Sequence, residues 1–443
     1  MLVLYLFISI VLIIVLSAKL KIHPFVVLFI VALLYGVAAG MSMEQIVKSV
    51  NQGFGDTLGK IGLIIVFGII IGTFLENSGA AYTLAERVIK ITGKNRVPAA
   101  MGIIGYIVSI PVFADSGFLL LSPLNKSLSK KAKVSLAGSA VALGLGLTAT
   151  HTLVPPTPGP VAAAGILNAD LGLVILWGML IAAIALIFGL LFAVKYAAKT
   201  FIDPNPEISE ADINARLKEA PGVVKSSIPI ILPIFLIVLK SIVITFDENA
   251  EGNITQIISF IGEPVVALFI GMLLAFLLPK KFNLEMVSTG GWVGSSLKDA
   301  ASIILITGAG GIFGRVLQDS GISIVIGDTF SGVNLGLWFP FLLAAAIKTA
   351  QGSSTVSLIT TASILMPMMA SLGFQSETER AMVVIAVGAG SMVVSHANDS
   401  FFWVITQLSG IDVKNGYRLY TTGTFVLGIS AITTLFIFYL LFA

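Results

Sequence analysis

Apolar residues in this chain come in long blocks set apart by short polar clusters. The runs 2–18, 24–40, 171–194 and 421–442 are each long enough to cross a hydrocarbon core of roughly 30 Å as a helix. Other apolar stretches are broken in the middle by residues that interrupt helices. The stretch 97–124 is broken at Ile110-Pro111 and again by Gly117, and 335–372 is broken at Gln351-Gly352-Ser353-Ser354. The stretch 135–168 breaks at Thr150-His-Thr-Leu-Val-Pro-Pro-Thr-Pro-Gly-Pro160, and 381–407 at Ser395-His-Ala-Asn-Asp-Ser400. The pattern predicts an all-α polytopic membrane protein with unbroken spans, two interrupted spans and two re-entrant hairpins.

One motif occurs twice. Gly68-Ile-Ile-Ile-Gly-Thr-Phe-Leu-Glu-Asn-Ser-Gly79 returns as Gly310-Gly-Ile-Phe-Gly-Arg-Val-Leu-Gln-Asp-Ser-Gly321, identical at half of its positions. Likewise, Ala142-Leu-Gly-Leu-Gly146 ahead of His151 is echoed by Ala386-Val-Gly-Ala-Gly390 ahead of His396. Internal symmetry in a strongly apolar chain is characteristic of secondary transporters, whose halves frame one site at the bilayer midplane. The glycines four apart in the motif have the small-xxx-small spacing of close helix packing, which is architecture rather than chemistry.

Charge sets the orientation. Basic residues cluster at Lys19 and Lys21, between Arg87 and Arg96, from Lys126 to Lys133, at Lys195 and Lys199, at Lys280 and Lys281, and at Lys414 and Arg418. The positive-inside rule puts all of these in the cytoplasm and the acidic loop 247–251 outside. The stretch 97–124 then enters and leaves on one face, which makes it a hairpin from inside, whereas 335–372 is a hairpin from outside. Each half has about five crossings and one re-entrant hairpin. Five is odd, so the halves are inverted and both termini lie outside. The expected divisions are a first repeat 1–197, a cytoplasmic linker 198–225 with a short capped helix starting near Ser209, and a second repeat 226–443.

Composition agrees: 56% of residues are hydrophobic and 11% charged, against roughly 25% charged in soluble domains. The net charge of +3 is explained by the basic loops, so no nucleic-acid partner is implied; the bilayer is the expected partner. There is no cysteine, which removes thiolate chemistry and iron–sulfur ligation. The three histidines have no metal-site spacing, and no phosphate loop, nucleophile elbow or zinc-protease motif is present. Neither an enzyme nor a resident metal or cofactor is expected. The first apolar run has no basic stretch before it and reads as a retained span rather than a cleaved signal.

Ionisable and polar groups at membrane depth are the candidate chemistry. Asp115 sits at the inner hairpin tip with Ser116 and Gly117, either as a site carboxylate or as a cap of the second arm. Gln351, Gly352, Ser353, Ser354 and Thr355 form the outer tip, all donors and acceptors without formal charge, a composition suited to hydroxyls and a carboxylate. Thr157 and Asn398 lie in the two helix breaks. Asp115, Asp399, His151 and His396 are the candidate proton carriers, with helix capping the alternative for Asp399 and packing the alternative for the histidines. Lys348, three residues before the outer tip, either attracts a carboxylate or snorkels to the nearer surface.

Taken in order, these motifs resemble the gluconate:proton symporter (gluconate permease) family. The resemblance rests on Gly53-Phe-Gly-Asp-Thr-Leu-Gly-Lys-Ile-Gly62, on Ile110-Pro-Val-Phe113 with Asp115 and Gly117-Phe118, on His151-Thr-Leu-Val-Pro-Pro-Thr-Pro-Gly-Pro160, on Ala350-Gln351-Gly352-Ser353, and on Ser395-His396 with Asn398-Asp399. It implies the paired-hairpin fold of the broader ion-transporter superfamily and proton-coupled uptake of small hydroxy acids. The family more often has an aromatic residue where Ala114 stands, an apolar one at Ser116, arginine at Lys348 and a small residue at Phe401. Those departures fall at the expected site, so the acid stays open among gluconate, another sugar acid, glycerate, a short hydroxy acid and D-serine. Sodium coupling, and an ion-conducting subunit of a membrane enzyme, are the competing readings. The expected partners are a small carboxylate and a proton in a bacterial inner membrane. Homo-oligomerisation is left open.

Overall fold

The computed structural model describes residues 1–93, 96–205, 217–246, 253–322, 325 and 335–442, and every regular element among them is helical. In chain order these are α1 (Leu2–Ile14, extended by a π turn), α2 (Pro24–Ala38), α3 (Met43–Asn77), α4 (Ala80–Thr92), α5 (Val97–Val108), α6 (Ala114–Lys131), α7 (Leu136–Leu153), α8 (Pro158–Leu167) and α9 (Leu171–Lys195). There follow α10 (Val223–Phe246), α11 (Asn253–Ile261), α12 (Pro264–Ala275), α13 (Trp292–Asp319), α14 (Trp338–Gln351), α15 (Ser354–Leu365), α16 (Glu377–Met392), α17 (Ser400–Leu408) and, after a short turn, α18 (Thr422–Phe442). Six described spans are long and apolar enough to cross a membrane, and the pair α11–α12, bent by 66°, is either a seventh, broken span or a re-entrant loop. The acidic loop 247–251, the linker helix near Ser209 and most of the approach to the outer hairpin lie outside the described residues.

Local chemistry sets the helix starts. Ser42 and Gln45 form a reciprocal capping box at the head of α3, and Ser376 with Glu379 does the same for α16. The Asp170 carboxylate accepts from Leu173 N at 2.8 Å to start α9 and from Ser241 Oγ at 2.7 Å, which ties α9 to α10.

The repeated motif lies on α3 and α13, which pack along each other and run antiparallel. Ser49 Oγ donates to Asp319 Oδ2 at 2.7 Å near one end, and Ser296 Oγ donates to Thr73 Oγ1 at 2.9 Å near the other. Between them the backbones touch: a Cβ on Gly53 would come 2.5 Å from the Gly311 carbonyl oxygen, and one on Gly311 would come 2.4 Å from that of Gly53. Both copies end alike, with Gly79 at φ +78° and Gly321 at φ +77°. Such left-handed backbone is one that glycine adopts without a steric penalty.

The two broken spans are built in parallel fashion. α7 and α8 are separated at 154–157, and α16 and α17 at 393–399. The first arm of each hairpin lies backbone to backbone on the first piece of its neighbouring broken helix, α5 on α7 and α14 on α16. A Cβ on Gly146 would meet the Gly102 carbonyl at 2.1 Å, and one on Gly390 would meet the Phe341 carbonyl at 2.2 Å. These two glycines close the echoed pentapeptides, so the echo marks equivalent helix crossings. The second arms cross over: α15 packs on α8, and α6 packs on α17. The two tips and two breaks are thereby brought to the middle of the molecule.

The inner hairpin runs on as helix beyond the apolar stretch 97–124. Its second arm continues to Lys131, past the polar residues that mark 124 as a membrane boundary. Ser129 Oγ, bonded to Asn125 Oδ1 at 3.4 Å and to Ser139 Oγ at 2.8 Å, carries the helix on and ties it to α7. Lys130 and Lys131 suit its C-terminal dipole.

Candidate functional site

A cavity of about 420 Å³ lies where the tips and breaks meet, within the range of roughly 300 to 1,000 Å³ that holds small ligands. Among its lining residues, Asp115, Ser302, Ser353, Asn398 and Ser400 are exposed and mark its mouth.

Its floor is ionic. Lys348, 1% exposed, donates from Nζ to Asp399 Oδ2 at 2.7 Å and to the Gly352 carbonyl oxygen. Lys348 therefore does not snorkel. The same Asp399 oxygen accepts from Ser395 Oγ at 2.5 Å, while Oδ1 accepts from Phe401 N at 3.0 Å and caps α17. Capping and charge pairing are thus both roles of Asp399, one on each carboxylate oxygen. Through it the outer tip, the break in the second broken span and the head of α17 are held as one unit.

Asp115 is placed differently. The N-cap of α6 is Phe113, with no side-chain cap bond, and Asp115 lies in the first helical turn. Its side chain is exposed at the cavity mouth rather than spent on capping. The turn before it closes with Ser109 Oγ donating to the Val112 carbonyl at 3.1 Å.

The outer tip is shaped by its own groups. Gly352 has φ +94° and ends α14, Gln351 Nε2 donates to the Ser353 carbonyl at 2.7 Å, and Ser353 Oγ accepts from Val356 N at 3.3 Å to start α15. Asn398 Nδ2 donates to the carbonyls of Thr349 and Ala350 at 2.9 and 3.2 Å, satisfying the last turn of α14. Gln351, Gly352, Ser353, Ser354 and Thr355 all face the cavity.

The two histidines separate. His151 lines the cavity near Phe113, and its Nδ1 has no hydrogen-bond partner. His396 is not among the lining residues; its Nε2 lies 2.9 Å from the Thr349 carbonyl oxygen and its ring stacks on Tyr417. Ser116, Gly117 and Thr157 do not line the cavity either. Gly117 is buried against Leu147, and the Thr157 hydroxyl donates to the Val154 carbonyl at 2.5 Å inside the first break. Sequence reasoning missed Tyr420, whose hydroxyl lies 2.9 Å from Thr148 Oγ1 at the cavity wall, together with Thr148, Thr152 and Ser302. No group of His, Asp and Glu able to hold a metal occurs among the described residues. The cavity thus brings two carboxylates, one ammonium and several hydroxyls to one space.

Comparison with known proteins gives the family. The chain is 36% identical to an uncharacterized permease of Haemophilus influenzae (94% of this chain, 89% of the relative) and 34% identical to a gluconate permease of Pseudomonas aeruginosa (94% and 92%). It is 33% identical to the inner membrane permease YgbN of Escherichia coli (95% and 94%). Among solved structures it shares its fold with the YdaH transporter of Alcanivorax borkumensis, at a TM-score of 0.58 over 88% of each chain and 13% identity. The relatives are permeases and transporters rather than enzymes, which together with the apolar spans makes this a multi-pass inner-membrane permease for a small molecule. The GntP family permease model matches residues 1–441, and the chain belongs to that family.

Proposed function

We propose that the protein is a proton-coupled carrier of gluconate or a related small hydroxylated carboxylate. In this reading two inverted repeats, 1–197 and 226–443, are joined by the cytoplasmic linker 198–225, and both termini lie outside. The observation that carries it is the charge count of the cavity, where Asp115 and the Lys348–Asp399 pair line one space. An organic anion entering there meets two carboxylates and one ammonium. Two like charges 4 Å apart repel by about 4 kcal/mol at an effective dielectric of 20. A proton on Asp115 removes that repulsion and leaves Lys348–Asp399 as a neutral pair, so anion and proton are best bound together. Ser353, Ser354, Thr355 and the backbone N–H groups at the start of α15 supply donors for the carboxylate. Gln351 lines the same space for substrate hydroxyls. The gluconate permease of Pseudomonas aeruginosa supports the substrate class. Ala114, Ser116, Lys348 and Phe401, where the chain departs from the family pattern, leave the particular acid to experiment.

The test is uptake of labelled gluconate into proteoliposomes under a pH gradient and, separately, a Na⁺ gradient, with a panel of hydroxy acids as competitors. Accumulation driven by the pH gradient alone is expected. Accumulation driven only by Na⁺ would replace the proton with sodium, and no uptake of any acid would remove the carrier reading.

A further inference from the structure

A second cavity, of about 390 Å³, lies further along the same helices, and the proposed mechanism makes no use of it. α13 lines the central cavity with Ser302, Ile303 and Ile306, and the second with Gly311, Arg315 and Gln318. α15 does the same, with Ser354, Thr355 and Val356 at one end and, just beyond its other end, Met366, Pro367 and Met369. At 1.5 Å rise per residue the two sets on α13 are roughly 16 Å apart along the helix. α13 belongs to a membrane-crossing span, so the second cavity lies nearer one membrane face than the central cavity does. Its rim includes Asn168 and Gln375, which belong to loops that the basic-residue pattern places outside.

Three cations converge on it: Lys60, Arg315 and Arg380. Lys60 Nζ donates to a neutral group, Asn168 Oδ1, at 2.6 Å. Arg380 reaches the Asn168 carbonyl at 3.4 Å and has only a loose pair with the exposed Glu377 at 3.7 Å. Arg315 is paired through Nε with Asp319. Asp56 is the one carboxylate among the lining residues. A concave, positively biased mouth concentrates anions and orients them.

The stretch between the cavities has a second peculiarity. Thr307 on α13 and Thr360 and Thr361 on α15 are fully buried midway between the two sets of lining residues, and none of their hydroxyls has a hydrogen-bond partner. Orphaned buried hydroxyls are rare and costly, roughly 1 to 3 kcal/mol each.

We infer that the second cavity is an outer collecting site for the organic-anion substrate, held by Lys60 and Arg380, from which substrate passes to the central cavity when the outer side opens. This rests on the carboxylate-carrier reading above. The substrate carboxylate would exchange its hydration for the Lys60 ammonium and the Arg380 guanidinium, both of which now face neutral or weakly held partners.

Sidedness tests it. Lys60→Gln and Arg380→Gln, singly and together, should raise the KM for gluconate about tenfold when substrate is offered from the face carrying this cavity. They should leave Vmax, the KM from the opposite face and equilibrium binding at the central cavity unchanged. Lys60→Arg, which keeps the charge, should restore the KM, and raising the salt concentration should shrink the difference between wild type and variants. A thermal melt of each variant separates loss of charge from loss of fold. Wild-type uptake with a KM unchanged from that face, or changed equally from both, overturns this inference alone. Absence of uptake of any acid of the panel by the wild type overturns the carrier reading and this inference with it.

Discussion

A lysine that is 1% exposed in a membrane protein keeps its charge only if its partners replace water, and Lys348 has Asp399 and the Gly352 carbonyl for that purpose. Removing one partner of such a pair costs about 3 to 5 kcal/mol, whereas replacing both with groups that fit is often neutral. Lys348→Met should therefore lower thermal stability sharply in detergent. The double variant with Asp399→Asn, which retains the cap on α17, should recover most of that stability while still failing to transport. Equal melting temperatures for wild type and Lys348→Met would show that the pair is not what holds the outer tip. Asp115, Asp399 and the Gln351–Thr355 tip were legible in the sequence because charge or helix-breaking residues stand out against apolar runs. Tyr420 was not, because nothing beside it breaks the pattern and its importance comes from the remote partner Thr148. The capping role considered for Asp115 also could not be settled from sequence. Which residue of Phe113-Ala114-Asp115 starts the helix depends on how the turn at Pro111 closes.

At the scale of the elements, the helix breaks were readable because each lies in an apolar run of spanning length with Pro, Gly or clustered polar residues inside it. α6 runs to Lys131, seven residues past the end of the apolar stretch at 124. Hydropathy reports where a membrane begins, and helix hydrogen bonding does not stop there. The outer tip offers a direct check on how tightly these elements fit. Gly352 combines φ +94° with a position where a Cβ would lie 2.2 Å from the Asn398 carbonyl oxygen. Gly352→Ala must strain the backbone, at about 1 to 2 kcal/mol, and also push α14 away from the second break. Substrate affinity should fall at least as far as in Gln351→Ala, which removes one hydrogen bond to a substrate hydroxyl, worth roughly 0.5 to 1.5 kcal/mol. Equilibrium binding measured on both variants checks this; wild-type affinity in both would put the substrate elsewhere.

For the whole molecule, the duplicated motif was the most far-reaching signal, since its copies lie on the antiparallel pair α3 and α13 and end in equivalent left-handed glycines. The contact between those helices was not readable, because the motif gives likeness and says nothing of distance. Orientation rests on charge alone, and the absence of native cysteine makes it simple to measure. Single cysteines at Arg96 and Lys130, on either side of the inner hairpin, should both be shielded from an impermeant thiol reagent outside the cell and labelled in inverted vesicles. Labelling of only one of them from outside would mean that 97–124 crosses the membrane. Coupling is the central claim, and Asp115→Asn in proteoliposomes tests it most directly, because asparagine keeps the shape and hydrogen bonding of the side chain and loses only its proton. With an inward pH gradient the wild type should accumulate gluconate. The variant should fail to accumulate it while still exchanging labelled for unlabelled gluconate across a membrane loaded equally on both sides. Accumulation by Asp115→Asn at the wild-type level would contradict the account.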